Sequence, residues 1–126
     1  MIDLRTSPGW PGTEDSLQIQ SAAYIKKALY NRKLPQVFHH CPNGGNRSQR
    51  EASKMKLAGV LPGVPDIFIP LRSGEYSGLY IELENGKGKL AQAQIDYMEA
   101  VTTQGFLCLV VNDLETLQKT ITEYLK

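Results

Sequence analysis

The sequence has few of the residues that zinc sites, disulfide frameworks and membrane spans require. Its two cysteines, Cys41 and Cys108, form no Cys-x-x-Cys pair, and His39 and His40 are its only histidines. This argues against a structural zinc site and indicates two free thiols. No apolar run approaches the ~18 residues of a transmembrane helix, and the N-terminus has no apolar signal segment, so we expect a cytoplasmic protein without a membrane span. The net charge of +1 excludes a general polycation.

The length of 126 residues suits one folded domain with its own hydrophobic core. Two prolines and two glycines between positions 8 and 12 interrupt the start of the chain, so residues 1–12 are predicted to form an irregular N-terminal arm. We therefore expect a single domain over residues 13–126.

Apolar periodicity and turn residues predict eight elements in the order α-β-α-β-β-α-β-α. The predicted ranges are helix 13–30, strand 36–41, helix 48–58, a β-hairpin within 66–84, helix 90–104, strand 106–111 and a final helix from about 113. The continuous apolar run at 106–111 is typical of a strand that is buried on both faces. Because the hairpin is followed by a helix and another buried strand, we expect an α/β fold with a mixed sheet flanked by helices.

The hairpin carries carboxylates where buried strands are normally apolar. Asp66 precedes its first strand, and Glu82 and Glu84 lie two residues apart in the second. Because strand side chains alternate, Tyr80, Glu82 and Glu84 are expected on one face that carries the chemistry, while the opposite face packs. Such a cluster needs a cation or raised pKa values, and oxygen-only donors suit Mg²⁺ or Mn²⁺. The alternative interpretation is a Pro-Asp turn followed by an ordinary solvated strand face.

Positive charge is concentrated beside this hairpin. The loop Pro-Asn-Gly-Gly-Asn-Arg at 42–47 combines glycines that allow close backbone approach with donors for a phosphate, and the next helix and the loop after the hairpin add cations. The residues predicted to contact a polyanion are Asn43, Gly44, Gly45, Arg47, Arg50, Lys54, Lys87 and Lys89. An ordinary Gly-Gly turn and a solvated helix face are the alternative interpretation.

Together, these motifs resemble the virus-type replication-repair nuclease (VRR-NUC) domain of the PD-(D/E)xK nuclease superfamily. The resemblance rests on Pro-Asn-Gly-Gly at 42–45, Gly-Val-x-Pro-Gly-Val-Pro-Asp at 59–66, Ile-Glu-Leu at 81–83, Lys-Gly-Lys-Leu-Ala-Gln-Ala-Gln at 87–94 and the apolar strand at 106–111. It spans nearly the whole chain and implies a restriction-endonuclease-like mixed sheet.

The resemblance also implies a metal-dependent DNA endonuclease. By analogy, Asp66 and Glu82 would hold Mg²⁺ or Mn²⁺ with the Leu83 carbonyl as a third ligand, and Gln94 would match the family's glutamine near the site. Small stand-alone members, often phage-encoded, look like homodimers that cleave branched DNA such as four-way junctions. The expected partners are therefore DNA and a second copy of the chain.

The chain departs from the family pattern at Glu84, where the family has a lysine that orients or activates water. Glu84 could itself bind metal or act as a general base. Alternatively, Lys87 or Lys89 could reach back from the glycine-rich loop. A third interpretation is an inactive site, which would leave a branched-DNA-binding module. An interaction domain with no nucleic-acid role is the remaining alternative.

Overall fold

A computed structural model describes the backbone of residues 3–5 and, in full, residues 12–42, 48–84 and 89–126. Its elements are β1 (Asp3–Arg5), α1 (Glu14–Asn31), β2 (His39–His40), α2 (Gln49–Leu57), β3 (Ile67–Ile69), β4 (Gly78–Leu83), α3 (Gln92–Thr102), β5 (Phe106–Val111) and α4 (Leu114–Tyr124). From α1 onwards this is the predicted order, so the predicted α/β fold is confirmed.

The strands form one mixed sheet in the order β1-β5-β4-β3-β2. β1 and β4 both run parallel to β5, whereas β3 is antiparallel to β4 and to β2. The register pairs Ile67 with Ile81, so the next residues along the ladder, Asp66 and Glu82, lie opposite each other. Because opposed residues project to the same face, this register brings two acidic side chains of the hairpin together.

Helices cover both faces of the sheet. α1 and α4 pack on one face, where each fully buried leucine or isoleucine side chain contributes roughly 1.5–3 kcal/mol. That core contains Leu17, Ile25, Ala28, Leu29, Ile67, Ile69, Leu79, Ile81, Leu83, Leu109, Val111, Leu117, Ile121 and Tyr124. α3 covers part of the other face, where Met98, Cys108 and Val110 form a smaller cluster against Tyr80. β5 is therefore packed on both sides, as its apolar run predicts.

Two predicted segments differ from the structure. The N-terminal arm was predicted to be irregular, but Asp3–Arg5 is a strand paired in register with residues 109–111. Its three residues are too few for a local pattern to predict a strand, and the open edge of β5 supplies the partner. The predicted strand 36–41 is reduced to His39–His40, because β3 is only three residues long and offers ladder partners to these two residues alone.

Local signals set the helix ends that border the site. The Thr13 hydroxyl accepts a hydrogen bond from the Ser16 N–H at 3.0 Å, which caps α1 and directs its first turn. Gly59 has a φ of +99° and follows the C-cap residue Ala58, which ends α2 as expected for a glycine at this position. α2 has no buried residue, so its nine residues do not form part of either core.

Tyr80 does not belong to an open chemical face, contrary to the prediction for β4. Its ring stacks on Phe68 at a centroid distance of 4.3 Å, and its hydroxyl lies 3.0 Å from the Tyr97 hydroxyl of α3. Burial and the Tyr97 hydrogen bond both raise the Tyr80 pKa. Tyr80 therefore packs beneath α3, and this face of the strand opens only at Glu82.

Candidate active site

A cavity of about 800 Å³ lies at the end of the sheet where β4 ends and β3 begins. The N-terminal turns of α1 and α3 flank it from opposite faces, and the loop before β3 forms another wall. It is lined by Glu14, Asp15, Gln18, His40, Pro42, Pro62, Gly63, Val64, Asp66, Glu82, Leu83, Glu84, Ala91, Ala93 and Gln94. All five residues predicted to be catalytic or metal-binding are in this set.

Asp66 is held by hydrogen bonds to the strands on both sides of it. Its carboxylate Oδ2 accepts from the Leu83 N–H of β4 at 2.7 Å. Its backbone carbonyl accepts from the Cys41 N–H and from Nδ1 of His40, both at 2.7 Å. Asp66 therefore has a defined position at the start of β3.

Glu82 is the buried acid of the site, with a relative exposure of 6%. The side chains of Asp66 and Gln94 are close enough to its carboxyl group to affect its pKa. Burial is the main cause that raises the pKa of Glu82 to about 9, followed by the Asp66 hydrogen bond and the charges of Asp66 and Glu84, while the Gln94 hydrogen bond acts in the opposite direction. Glu82 therefore favours its protonated form or a neighbouring cation.

Gln94 connects the first turn of α3 to the Asp66–Glu82 pair. Its Oε1 accepts from the Ala91 N–H at 2.7 Å, as expected for a glutamine at the third helical position. With Oε1 used in this way, the amide nitrogen is the donor that remains for Glu82. The same hydrogen bond thus fixes the helix end and orients a donor towards the buried carboxylate.

Gly63 allows the loop before β3 to approach α3 closely. Its φ is +85°, and a Cβ at this position would lie 2.4 Å from the backbone carbon and oxygen of Ala93 and 2.7 Å from the Gln94 nitrogen. A glycine is therefore required both by conformation and by space. This contact sets where the first turn of α3, and so Gln94, lies relative to the cavity.

Glu84 follows β4 and is half-buried, with its N–H donating to the Val111 carbonyl at 3.0 Å. Burial, then the charge of Glu14 and then that of Asp66 raise its pKa. The cavity lining includes five carboxylates and, among the residues that the structure describes, no lysine or arginine. Glu84 therefore adds negative charge at the position where the resemblance implies a lysine.

The donors present are of the kind that hard divalent cations prefer. Carboxylate, amide and backbone oxygens suit Mg²⁺ and Mn²⁺, and two acidic side chains opposite each other mark a place where positive charge is favoured. Over residues 12–42, 48–84 and 89–126, no three His, Cys, Asp or Glu side chains are arranged as a complete metal site. Asp66 and Glu82 would thus need a further oxygen, for which Leu83 is adjacent, together with water.

The predicted DNA-binding residues do not line the cavity where the structure describes them. Arg50 and Lys54 are exposed on α2, one helical turn apart, and Lys89 is exposed before α3. The other predicted contacts lie outside the described residues: Asn43, Gly44, Gly45, Arg47 and Lys87.

Sequence reasoning missed the contributions of Asp15, Gln18 and His40 to the cavity. Acidic residues in a first helical turn are usual at any helix start, so Asp15 gave no distinct signal for a site. His40 was considered only as a zinc ligand. Its place directly before the Cys-Pro-Asn-Gly-Gly segment was the available clue.

The fold and the cavity define an α/β domain with a carboxylate cluster at the end of a mixed sheet. No helix in the described part of the chain is long and apolar enough to cross a membrane. Neither a protein-family model nor a curated protein matches the chain.

A solved structure described as a "VRR_NUC domain protein" is similar, with a TM-score of 0.73, 27% sequence identity, and coverage of 90% of this chain and 88% of the other. The resemblance to the VRR-NUC domain is confirmed by this structural match, and the chain is VRR-NUC-like over nine tenths of its length.

Proposed function

We propose that the protein is a metal-dependent endodeoxyribonuclease that hydrolyses phosphodiester bonds in branched DNA such as four-way junctions. The observation that carries the proposal is the buried Glu82 carboxyl group, which lies opposite the half-buried Asp66 in a cavity lined by five carboxylates. The similarity to a VRR_NUC domain protein supports a nuclease of the PD-(D/E)xK type over other hydrolases.

Asp66, Glu82 and the Leu83 carbonyl would hold Mg²⁺ or Mn²⁺. Such a cation, when bound, supplies positive charge for the scissile phosphate and lowers the pKa of water. The chain's own contribution is orientation, because the Leu83 N–H holds one oxygen of Asp66 and Gln94 donates to Glu82. Fixed donors of this kind position ligands before the reaction begins.

We assign the general base to Glu84. It lines the cavity and has a raised pKa, so it takes up a proton from water more readily at neutral pH than an ordinary glutamate. The alternative of a lysine from the following loop has less support at Lys89, which is exposed and does not line the cavity.

The phosphates of DNA need cations outside this acidic cavity. Arg50 and Lys54 occupy consecutive turns of the exposed helix α2, and Lys89 is also exposed. These residues, with the predicted contacts in 43–47 and at Lys87, would neutralise phosphates on either side of the scissile bond. A homodimer would present two such sites around a two-fold axis, the symmetry required to cut both strands of a junction.

A catalytically silent branched-DNA-binding module is the second candidate. The observation that favours it is the absence of lysine and arginine from the described cavity lining, with Glu84 at the family's lysine position. In this case, the architecture of a nuclease would be retained without the group that orients water.

Cleavage of labelled four-way junction, flap and linear duplex DNA in Mn²⁺, Mg²⁺ or EDTA tests the proposal. We expect metal-dependent cutting of branched DNA and at least about a 100-fold loss in Asp66→Asn. Asparagine keeps an oxygen that can accept from the Leu83 N–H, so the fold is preserved while a charge is lost. Undiminished cleavage by folded Asp66→Asn would overturn the proposed site.

Glu84→Lys separates the two candidates. If Glu84 is the base, the variant cuts more slowly than the parent; if the parent is a silent module, only the variant cuts. Glu75→Lys is the control, because it makes the same charge change on an exposed side chain at the far end of the hairpin.

The salt dependence of DNA binding tests the remaining alternative. DNA binding that does not weaken with salt, or no DNA binding at low salt, would favour an interaction domain without a nucleic-acid role. Sedimentation of the purified protein tests the dimer.

A further inference from the structure

His40 makes an unusual hydrogen bond to the backbone of Asp66. Nδ1 of its ring lies 2.7 Å from the Asp66 carbonyl oxygen. Because a carbonyl can only accept, Nδ1 must carry the proton, and the ring's other nitrogen, Nε2, is left without it in the neutral form. The same oxygen also accepts from the Cys41 N–H at 2.7 Å. One carbonyl thus receives two donors from the end of β2.

This bond lies at a point where the sheet provides little other support. The described ladder between β2 and β3 consists of two residue pairs, His39 with Phe68 and His40 with Ile67, and Asp66 lies just beyond it. The opposite side of Asp66 is held through its carboxylate by the Leu83 N–H. His40 therefore supplies one of the two hydrogen bonds from the end of β2 that hold the Asp66 carbonyl.

We propose that His40 is a positioning residue for the Asp66 carboxylate and acts through Nδ1. The inference rests on the proposed function, because it assigns His40 a role in the geometry of the metal-binding pair. Rotation of the Asp66 peptide would move the carboxylate relative to Glu82, and productive sites tolerate displacements of only about 0.5 Å. Partners of this kind typically contribute roughly 10–100-fold in metal affinity or activity.

Packing does not account for this conformation of His40. Its side chain is exposed and belongs to neither hydrophobic core. The adjacent His39, in contrast, packs its ring edge-on against Phe68 at a centroid distance of 5.7 Å. His39 is on the same short strand but projects to the other face, so it provides a matched control for substitutions in this strand.

Two substitutions of His40 test the roles of its two ring nitrogens separately. The amide nitrogen of asparagine takes approximately the position of Nδ1, and that of glutamine approximately the position of Nε2. The assays are cleavage of a four-way junction in Mn²⁺, Mn²⁺ affinity by titration, and amide hydrogen exchange at Leu83, whose N–H reports directly on the Asp66 carboxylate. The variants are His40→Asn, His40→Gln and the control His39→Asn.

We expect His40→Asn to keep parent-like cleavage, Mn²⁺ affinity and Leu83 protection. His40→Gln should lose roughly 10–100-fold in cleavage or Mn²⁺ affinity and show faster Leu83 exchange. The control should match the parent in both cleavage and exchange.

Three results would overturn the proposal. Parent-like behaviour of both His40 variants would show that the bond has no role. Loss in His40→Asn with retention in His40→Gln would assign the effect to Nε2, and equal loss in both would assign it to the ring as a whole. If the parent neither binds Mn²⁺ nor cleaves DNA, the proposed function fails, while Leu83 exchange still decides whether His40 positions Asp66.

Discussion

Glu82 should make the metal-free protein less stable as the pH rises. Its ordinary pKa is 4.5, and the folded protein raises it to about 9. Between these values, the folded state retains a proton that the unfolded chain has lost. Folding stability therefore falls with increasing pH throughout this window. Below this pH window Glu82 is protonated in both the folded and the unfolded state, and above it Glu82 is ionised in both. The dependence of stability on pH is therefore confined to the window.

The expected effect is large compared with the stability of a small domain. Each pH unit within the window costs up to about 1.4 kcal/mol, so the change from pH 5 to pH 8 amounts to roughly 4 kcal/mol. Typical domains have about 5–15 kcal/mol in total. At about 4 °C per kcal/mol for a chain of this size, Tm should fall by on the order of 15 °C. Glu84, whose pKa is also raised, acts in the same direction but is more exposed.

Thermal unfolding in EDTA at pH 5 and pH 8 measures this slope. Glu82→Gln should flatten it, because glutamine does not titrate, whereas Glu99→Gln, an exposed substitution on α3, should leave it unchanged. Saturating Mn²⁺ should flatten the parent's slope as well, because a bound cation keeps the carboxylate ionised. A parent-like slope in Glu82→Gln would refute the assignment to this residue. A slope unaffected by Mn²⁺ would refute metal binding at the pair.

Two further substitutions test how the surrounding elements support this pair. Gly63→Ala should destabilise the fold by about 1–3 kcal/mol more than Gly59→Ala in urea unfolding. Both glycines have positive φ, but only the Cβ at Gly63 would meet the backbone of Ala93, at 2.4 Å; equal losses would show that φ alone matters. Gln94→Ala should raise the Glu82 pKa further, because it removes the hydrogen bond that lowers it. Mn²⁺ affinity should consequently fall roughly 10–100-fold, and an unchanged affinity would contradict this role.

Most of the fold could be predicted because its elements carry strong local patterns. The apolar run of β5 was predicted at its observed bounds, Phe106–Val111, and apolar periodicity and turn residues predicted the order of the elements from α1 onwards. β1 could not be predicted in this way, since Asp3–Arg5 gains its strand conformation from the edge of β5. A local sequence pattern cannot predict a hydrogen-bonding partner that is distant in sequence.

The candidate site was only partly accessible to the same reasoning. The hairpin predicted that Asp66, Glu82 and Glu84 form a carboxylate cluster, and the register places Asp66 opposite Glu82. The alternation of strand side chains wrongly assigned Tyr80 to an open face, because α3 covers that part of the sheet. Whether a strand face is open or covered depends on which helix packs above it.

The sequence by itself determined the order of the elements from α1 onwards and the acidic hairpin with Glu84 at the position where the resemblance implies a lysine. These features depend on residue type and short-range periodicity. Only the tertiary structure decided that His40 and Asp15 line the same cavity as that hairpin, and that burial raises the pKa of Glu82. The reason is physical, because pKa values and hydrogen bonds depend on distances in space and on the exclusion of water. Those distances and that exclusion of water arise only when the helices pack against the sheet.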